Sequence, residues 1–443
     1  MPFAKCLVEP SSTLLHTRPV NVLVTGSRGF IGVHVVEALR ACGHRVACGV
    51  KSRATGRADD RTEVAVDFER DVDPAAWLVR LEGVDCVINT VGLIAGDARR
   101  MSAVHIDVPA ALFAACAHRG VQVINVSALG ADEDARTAFH LTKRAADDAL
   151  LASHPFATVV QPSLVFGLDG ASARLFTMLA SLPVIPVPGS GDQQVQPIHV
   201  DDVATAIANL VGNRRYAGRK IPLVGPTPIT LRALLEELRG MLGLGRARFV
   251  GTPRWAMRIA AVLRLPLVDR DTLSMLERGN TADPQGVAEL LGRSPRPVSQ
   301  FIARSESKTV LREAKLAWLL PMLRIAIALV WLTAGVTSAG VYPIRESIAL
   351  VERTGIAGGL AIALLYAGVA VDLVLGAATL FVQRRRMLWL VQIAVIVGYT
   401  VVVTVWLPEY WLHPYGPIVK NLPIIGALWL LYELEDRPGT RRG

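Results

Sequence analysis

The chain has 443 residues, 51% hydrophobic and 19% charged, with a formal net charge of +9, which excludes a disordered polymer and leaves room for about three folding units. Only twelve of its 47 basic and 38 acidic side chains lie between Ala317 and Leu434, so a soluble head precedes a membrane tail. The basic surplus is dispersed and flanks apolar spans, notably at Arg384, Arg385 and Arg386, which argues for membrane topology and against a nucleic-acid partner.

In chain order, residues Met1 to Pro19 lack the unbroken apolar core of a signal peptide, and the head is expected to stay in the cytoplasm. Val20 to Thr25 predicts a buried strand, Phe30 to Ala41 an amphipathic helix and His44 to Val50 a second strand. Glu63 to Asp67, Asp85 to Thr90 and Val121 to Val126 continue as strands, separated by helical stretches such as Pro74 to Leu81 and Val108 to His118. This alternation predicts an α/β Rossmann fold, a doubly wound parallel sheet. A looser Pro/Gly-rich region follows, with a helix at Asp201 to Val211 and a strand at Lys220 to Val224. The five cysteines show no CxxC spacing and no histidine pair at zinc intervals, so neither a disulfide framework nor a metal site is expected.

Four apolar stretches, Ala317 to Ala339, Ile356 to Val382, Met387 to Leu407 and Pro417 to Leu434, predict an all-α four-helix transmembrane domain. Arg and Lys concentrate before the first, between the second and third, and after the fourth, which puts both termini and the head on the cytoplasmic side of an inner (cell) membrane. The expected organisation is an extension 1–19, a dinucleotide-binding domain 20–303 with its substrate lobe mainly 160–303, a linker 304–316, the membrane domain 317–434 and a tail 435–443. Two charges, Arg324 and Asp372, fall inside spans at depths differing by only about 5 Å. Pairing would relieve part of their insertion cost, either as a polar site for a quinone or lipid headgroup or as a contact between helices.

The first strand runs into Gly26-Ser27-Arg28-Gly29-Phe30-Ile31-Gly32 and then a helix. In that context Gly26 permits a tight turn, Gly29 a close approach to pyrophosphate and Gly32 close helix packing, while the helix N-terminus favours the anion. The second strand ends Gly49-Val-Lys51-Ser-Arg53 without the acidic residue that would repel a 2′-phosphate. Lys51, Arg53 and Arg28 therefore favour NADP(H), with NAD(H) possible, unless they are solvated surface cations. Asp67 is a candidate acceptor for the adenine amino group or a turn residue.

These segments, with Asn89-Thr90-Val91-Gly92, Ile124-Asn-Val-Ser127-Ala-Leu-Gly130, Gln161-Pro-Ser-Leu-Val-Phe-Gly167 and Gln196-Pro-Ile-His-Val-Asp-Asp202, resemble the extended and atypical short-chain dehydrogenase/reductase superfamily. The likeness runs from Val20 to Ala303, towards the branch that includes the nucleotide-binding accessory subunit of respiratory complex I and epimerase-like proteins. It implies that Thr90, Val91 and Gly92 line the cofactor, that Ser127 polarises a substrate carbonyl, and that Lys143 holds the nicotinamide ribose. The tyrosine expected four residues before Lys143 is Phe139, and no tyrosine precedes Tyr216. A phenyl ring has no ionisable proton, so its presence removes a general acid/base contribution of roughly 10² to 10⁴ in rate. His140, about 100° round the helix from position 139, is a candidate replacement. Tyr216-Ala-Gly-Arg-Lys220 is read as a coincidental match, and Asp201 or Asp202 as a helix cap. The helix Pro253 to Arg264 presents an apolar face for the head or for an anionic leaflet. Ala317 to Leu434 resembles the DoxX-like family of four-helix membrane proteins, chiefly through Trp411 to Pro423, which implies quinone-associated or thiol-redox surroundings. Two functions follow: an oxidoreductase acting on a membrane-delivered quinone, lipid or other carbonyl, or an inactive dinucleotide-binding scaffold or redox sensor.

Overall fold

A computed structural model of the chain describes residues 18–51, 63–94, 96–253, 270–383, 385–413 and 418–435. Two compact units divide at Ala314/Lys315. In the first, short runs rich in Val, Ile and Ala form Asn21–Thr25 (β1), Arg45–Val50 (β2), Glu63–Ala65 (β3), Cys86–Asn89 (β4), Gln122–Val126 (β5), Ala157–Pro162 (β6) and Lys220–Leu223 (β7). They pair in the order β7-β6-β5-β4-β1-β2-β3, all parallel. The order reverses between β1 and β4, and at such a switch point the carboxyl ends of the strands open a crevice.

Several of the intervening helices begin where a polar side chain can satisfy free amides. Phe30–Ala41 (α1) follows the glycine loop, Pro74–Arg80 (α2) is capped by Asp73, and Ala98–Ser102 (α3) by Asp97. A π-helical turn, Ala103–Asp107, joins α3 to Val108–Arg119 (α4), which ends at the left-handed Gly120. Thr137 caps Ala138–Ser153 (α5). The lobe adds Ala171–Ser181 (α6), Val200–Leu210 (α7), Leu231–Met241 (α8), Arg270–Arg278 (α9) and Gln285–Leu291 (α10). Val35 and Leu39 of α1, Ile207 of α7 and Leu290 of α10 cover one face of the sheet. Trp77 of α2 and Leu112 of α4 cover the other. Phe166, Ile185, Leu234, Leu238 and Phe301 form the separate core of the lobe. α1 coincides with its predicted range, whereas α3 and the π turn have no apolar periodicity to announce them. The cap of α7 is His199, whose ring accepts the Asp201 amide, and not either aspartate: Asp202 is fully buried against Arg293 and the Arg296 amide. Beyond Pro253, the predicted helix to Arg264 lies outside the described residues.

The apolar helices of the second unit are Ser307–Val336 (α11), whose residues up to Ala314 belong to the first unit, Gly359–Phe381 (α13), Arg386–Trp406 (α14) and Asn421–Leu434 (α15), with an unpredicted helix, Ile344–Glu352 (α12), between the first two. α11, α13 and α14 are long and apolar enough to cross a membrane. At 14 residues, α15 spans about 21 Å. The stretch 304–316, read as a linker, is helical from Ser307, where the Ser307 hydroxyl donates to Met241 O at 2.6 Å. Ile327, Trp331, Leu375, Trp389, Leu428 and Leu431 form the core of this unit.

Candidate functional site

Local backbone demands shape the glycine loop. Gly26 has φ +73°, and a Cβ there would stand 2.7 Å from Thr90 Oγ1. At Gly32 a Cβ would fall 2.1 Å from Gly26 O, so the loop closes against α1 only without side chains at these positions. Gly29 differs. The only heavy atom among the described residues that its Cβ would approach is Gly26 O, at 3.1 Å, and no side chain caps α1 there. Backbone amides at an uncapped helix N-terminus beside an open glycine fit a pyrophosphate. Ser27 donates to Gly49 O at 3.0 Å and so ties the loop to β2, while Thr90 Oγ1 donates to Thr25 O at 2.8 Å. The side chains of Phe30 and Ile31 pack, Phe30 against Gly167 and Gly170 and Ile31 against the sheet core, which leaves their part in the cofactor site to the backbone.

The cations expected to meet a 2′-phosphate have carboxylate neighbours. Arg28 pairs with Glu63 at 2.9 Å, and Lys51 lies 3.4 Å from Glu69 and 3.8 Å from Asp67. Arg53 lies outside the described residues. Asp67 Oδ1 accepts the Glu69 amide at 2.9 Å, as in a turn.

The carboxyl edge of β4 and β5 carries a continuous polar chain. Thr25 Oγ1 donates to Asn89 Oδ1, Asn89 Nδ2 to Asn125 Oδ1, and Asn125 Nδ2 to Asp147 Oδ1, at 2.8, 2.8 and 2.9 Å. Ser127 donates to the other Asp147 oxygen. Lys143 and Asp147, one helical turn apart on α5, both face inward. The Lys143 amine donates to Val126 O at 3.0 Å and Val91 O at 3.1 Å, and a Cβ on Gly92 would stand 3.2 Å from it. Burial pushes the Lys143 amine down to about 8, against the attraction of Asp147. Burial lifts Asp147 to about 6, opposed by its bonds from Ser127 and Asn125 and by the charges of Lys143 and Lys220. The Ser127 hydroxyl is therefore turned inward to a carboxylate, where the sequence suggested a donor to substrate.

Phe139 stands between two imidazoles, 5.8 Å from the His105 ring and 5.4 Å from His140. His105, presented by the π turn, accepts the Leu93 amide on Nε2, so Nδ1 carries the proton to Thr142 Oγ1 at 2.8 Å. Burial and the Lys143 charge push it down to about 4. His140 is 7% exposed, its ring against Gly130. Burial and the Arg278 charge lower it, partly offset by Asp132 and the Leu129 backbone. It borders a cavity of about 470 Å³ shared with Asp134, Thr137 and Arg278. Tyr216 is buried in a 3-10 turn, and Lys220 pairs with Asp148, consistent with no catalytic YxxxK there.

Ser127 and Lys143 are legible in the sequence through the resemblance, whereas the parts played by Asp147, His105 and the two asparagines emerge only from the structure. Asp147 had a signal: it follows Lys143 by four residues, an unusual pair of charges for an inward helix face. Asn89 and Asn125 also sit inside strands, where asparagine is disfavoured.

In the membrane unit the expected Arg324–Asp372 pair gives way to two others. Arg324 donates to Glu435 at 3.1 Å, and the Tyr399 hydroxyl donates to Asp372 at 3.3 Å. Depth along the helices was compatible with the first pairing, but the helix faces were not legible in the sequence.

Residues 22–221 match the NAD dependent epimerase/dehydratase family and residues 328–429 the DoxX-like family. Among curated proteins, the chain is 33% identical to a ceramide reductase of Caulobacter vibrioides, over 42% of this chain and 59% of that one. It is 26% identical to the NADH-ubiquinone oxidoreductase 40 kDa subunit of Neurospora crassa, over 40% and 48%. A third, the 2′-dehydrokanamycin reductase of Streptomyces kanamyceticus, is 29% identical over 62% and 86%. The chain thus spans about half to three fifths of the first two. A nucleoside-diphosphate-sugar epimerase of Staphylococcus aureus shares the head's fold at 16% identity and TM-score 0.53, covering 64% of this chain and 99% of that one.

Proposed function

Because the chain joins an epimerase/dehydratase-type NAD-binding head to a DoxX-like membrane domain, we propose that it is a reductase of a carbonyl delivered by the membrane, on a lipid or a quinone. The observation that carries this reading is Lys143. Its buried amine is held by two backbone carbonyls beneath the side-chain-free wall at Gly92, which leaves a third N–H for a ribose hydroxyl. When bound, the dinucleotide supplies the hydride.

Ser127 is assigned to the substrate oxygen. While Asp147 is ionised it retains the Ser127 proton; once protonated, Asp147 donates to Oγ and Ser127 turns its own proton into the cleft. His140, on the cavity wall beside Phe139, is the proton source assigned in place of the absent phenol. The names ceramide reductase and 2′-dehydrokanamycin reductase among the relatives support carbonyl reduction, and the complex I relative supports a quinone as the alternative oxidant.

NADP(H) is the assigned coenzyme. Arg28 and Lys51 are exposed, and the Lys51 contacts of 3.4 and 3.8 Å are long enough to be exchanged for a 2′-phosphate. Arg53 and the adenine contact at Asp67 belong to the same assignment. Basic residues beside the spans support a cytoplasmic head and termini on an inner membrane, which labelling of single cysteines in intact and opened cells tests.

The decisive experiment titrates full-length protein in detergent with NADPH and NADH and follows oxidation by short-chain quinones and long-chain ketones. Tighter NADPH binding with turnover is expected. The second reading, an idle dinucleotide-binding scaffold or sensor, is favoured by Phe139: binding without turnover, with activity appearing in Phe139→Tyr by about 10² or more, establishes it in place of the reductase.

A further inference from the structure

One end of the helical bundle in the membrane unit holds more guanidinium than carboxylate. Arg324 comes from α11, Arg385 and Arg386 open α14, and Glu435 follows α15. Glu435 accepts from Arg324 at 3.1 Å and from the indole of the fully buried Trp389 at 3.3 Å. Arg385 lies within electrostatic reach of both Arg324 and Glu435. The Arg386 guanidinium sits 4.4 Å from the Tyr432 ring centre. Among the described residues, the one ion pair of this cluster is Arg324–Glu435, so a single carboxylate is paired at an end that carries three guanidiniums. The Nε atoms of all three arginines are buried with no hydrogen-bond partner. Buried unpartnered donors are costly and are normally satisfied. Beside the cluster, Phe381 and Met387 expose 79% and 69% of their surface, an apolar flank at the same level.

We propose that Arg324, Arg385 and Arg386 form a binding site for a phosphate-centred anion, the phosphodiester of an acidic membrane lipid whose chains lie along Phe381 and Met387. The chemistry is specific to arginine. Planar forks match phosphate oxygens bidentately, and basic pockets between membrane helices accept acidic headgroups. Tyr432 has the amphipathic character of an interfacial side chain and helps set the headgroup level. Topology alone needs only positive charge and would be equally served by lysine. The site requires neither the dinucleotide nor turnover, so its test is independent of the head.

Full-length protein in a neutral detergent is titrated with phosphatidylglycerol, phosphatidylcholine or inorganic phosphate, with bound lipid counted by native mass spectrometry and melting temperature followed in parallel. The expected preference for phosphatidylglycerol over phosphatidylcholine is about thirtyfold, equivalent to about 1 kcal/mol for each of two net positive charges. Arg385→Lys with Arg386→Lys keeps the charge but loses the planar forks, and is expected to weaken phosphatidylglycerol binding about tenfold. Glu435→Gln removes the competing carboxylate and is expected to raise it. Equal binding of the two lipids overturns the proposal, as does an unchanged phosphatidylglycerol affinity in both variants. A melting shift reproduced by inorganic phosphate at the same concentration overturns the lipid assignment.

Discussion

In the head, Asn89, Asn125, Ser127, Lys143 and Asp147 converge on the carboxyl edge of one sheet. In the membrane unit, Trp331, Gln392 and Thr379 instead run across three helices, Trp331 Nε1 donating to Gln392 at 2.8 Å and Gln392 to Thr379 at 2.9 Å. The head network contains two ionisable groups perturbed towards neutrality, Lys143 at about 8 and Asp147 at about 6. The Trp331–Gln392–Thr379 chain contains none. The same need to satisfy buried polar groups thus yields a tunable proton site in one region and a fixed helix contact in the other.

The largest expected effect comes from removing the head's buried carboxylate. Asp147→Leu strands the Lys143 charge and the donors of Ser127 and Asn125, and should cost about 3–5 kcal/mol, measured by chemical denaturation of the head's signal. If the loss is below about 1 kcal/mol, the network does not hold the head together.

A pH titration sharpens the contrast. Asp147 titrates above its ordinary value in the folded state, so between about pH 4 and 6 the native state binds more protons than the unfolded chain. Its contribution to stability is therefore present at low pH and lost as pH rises through that window, by up to about 3 kcal/mol. In Asp147→Asn this dependence should disappear. An unchanged difference between the pH curves of wild type and variant would assign the effect elsewhere.

Gly32→Ala should follow. Its Cβ meets Gly26 O at 2.1 Å, so the loop must shift, with a cost of about 2 kcal/mol and loss of coenzyme affinity in a fluorescence titration. The smallest effect is expected in the tail: Gln392→Leu removes the central link of the three-helix chain and should cost about 1 kcal/mol in detergent. A cost as large as that of Asp147→Leu would erase the distinction between the two regions.

The parallel sheet of the head, the glycine loop and the apolar tail were legible because each is written in local pattern: runs of β-branched residues, a Gly26-x-x-Gly29-x-x-Gly32 spacing and four long apolar segments, whereas Lys220–Leu223, expected in the substrate lobe, is the edge strand of the sheet because it pairs with Ala157–Pro162. The loss of the phenol at Phe139 was equally plain. What lay beyond the sequence was which side chains meet. Ser127 faces Asp147, 20 residues on, and Arg324 faces Glu435, 111 residues on, while Asp372 takes Tyr399 from another helix. Secondary structure follows from neighbours along the chain, but hydrogen-bond partners depend on how helices rotate as they pack, and only the tertiary structure decides that.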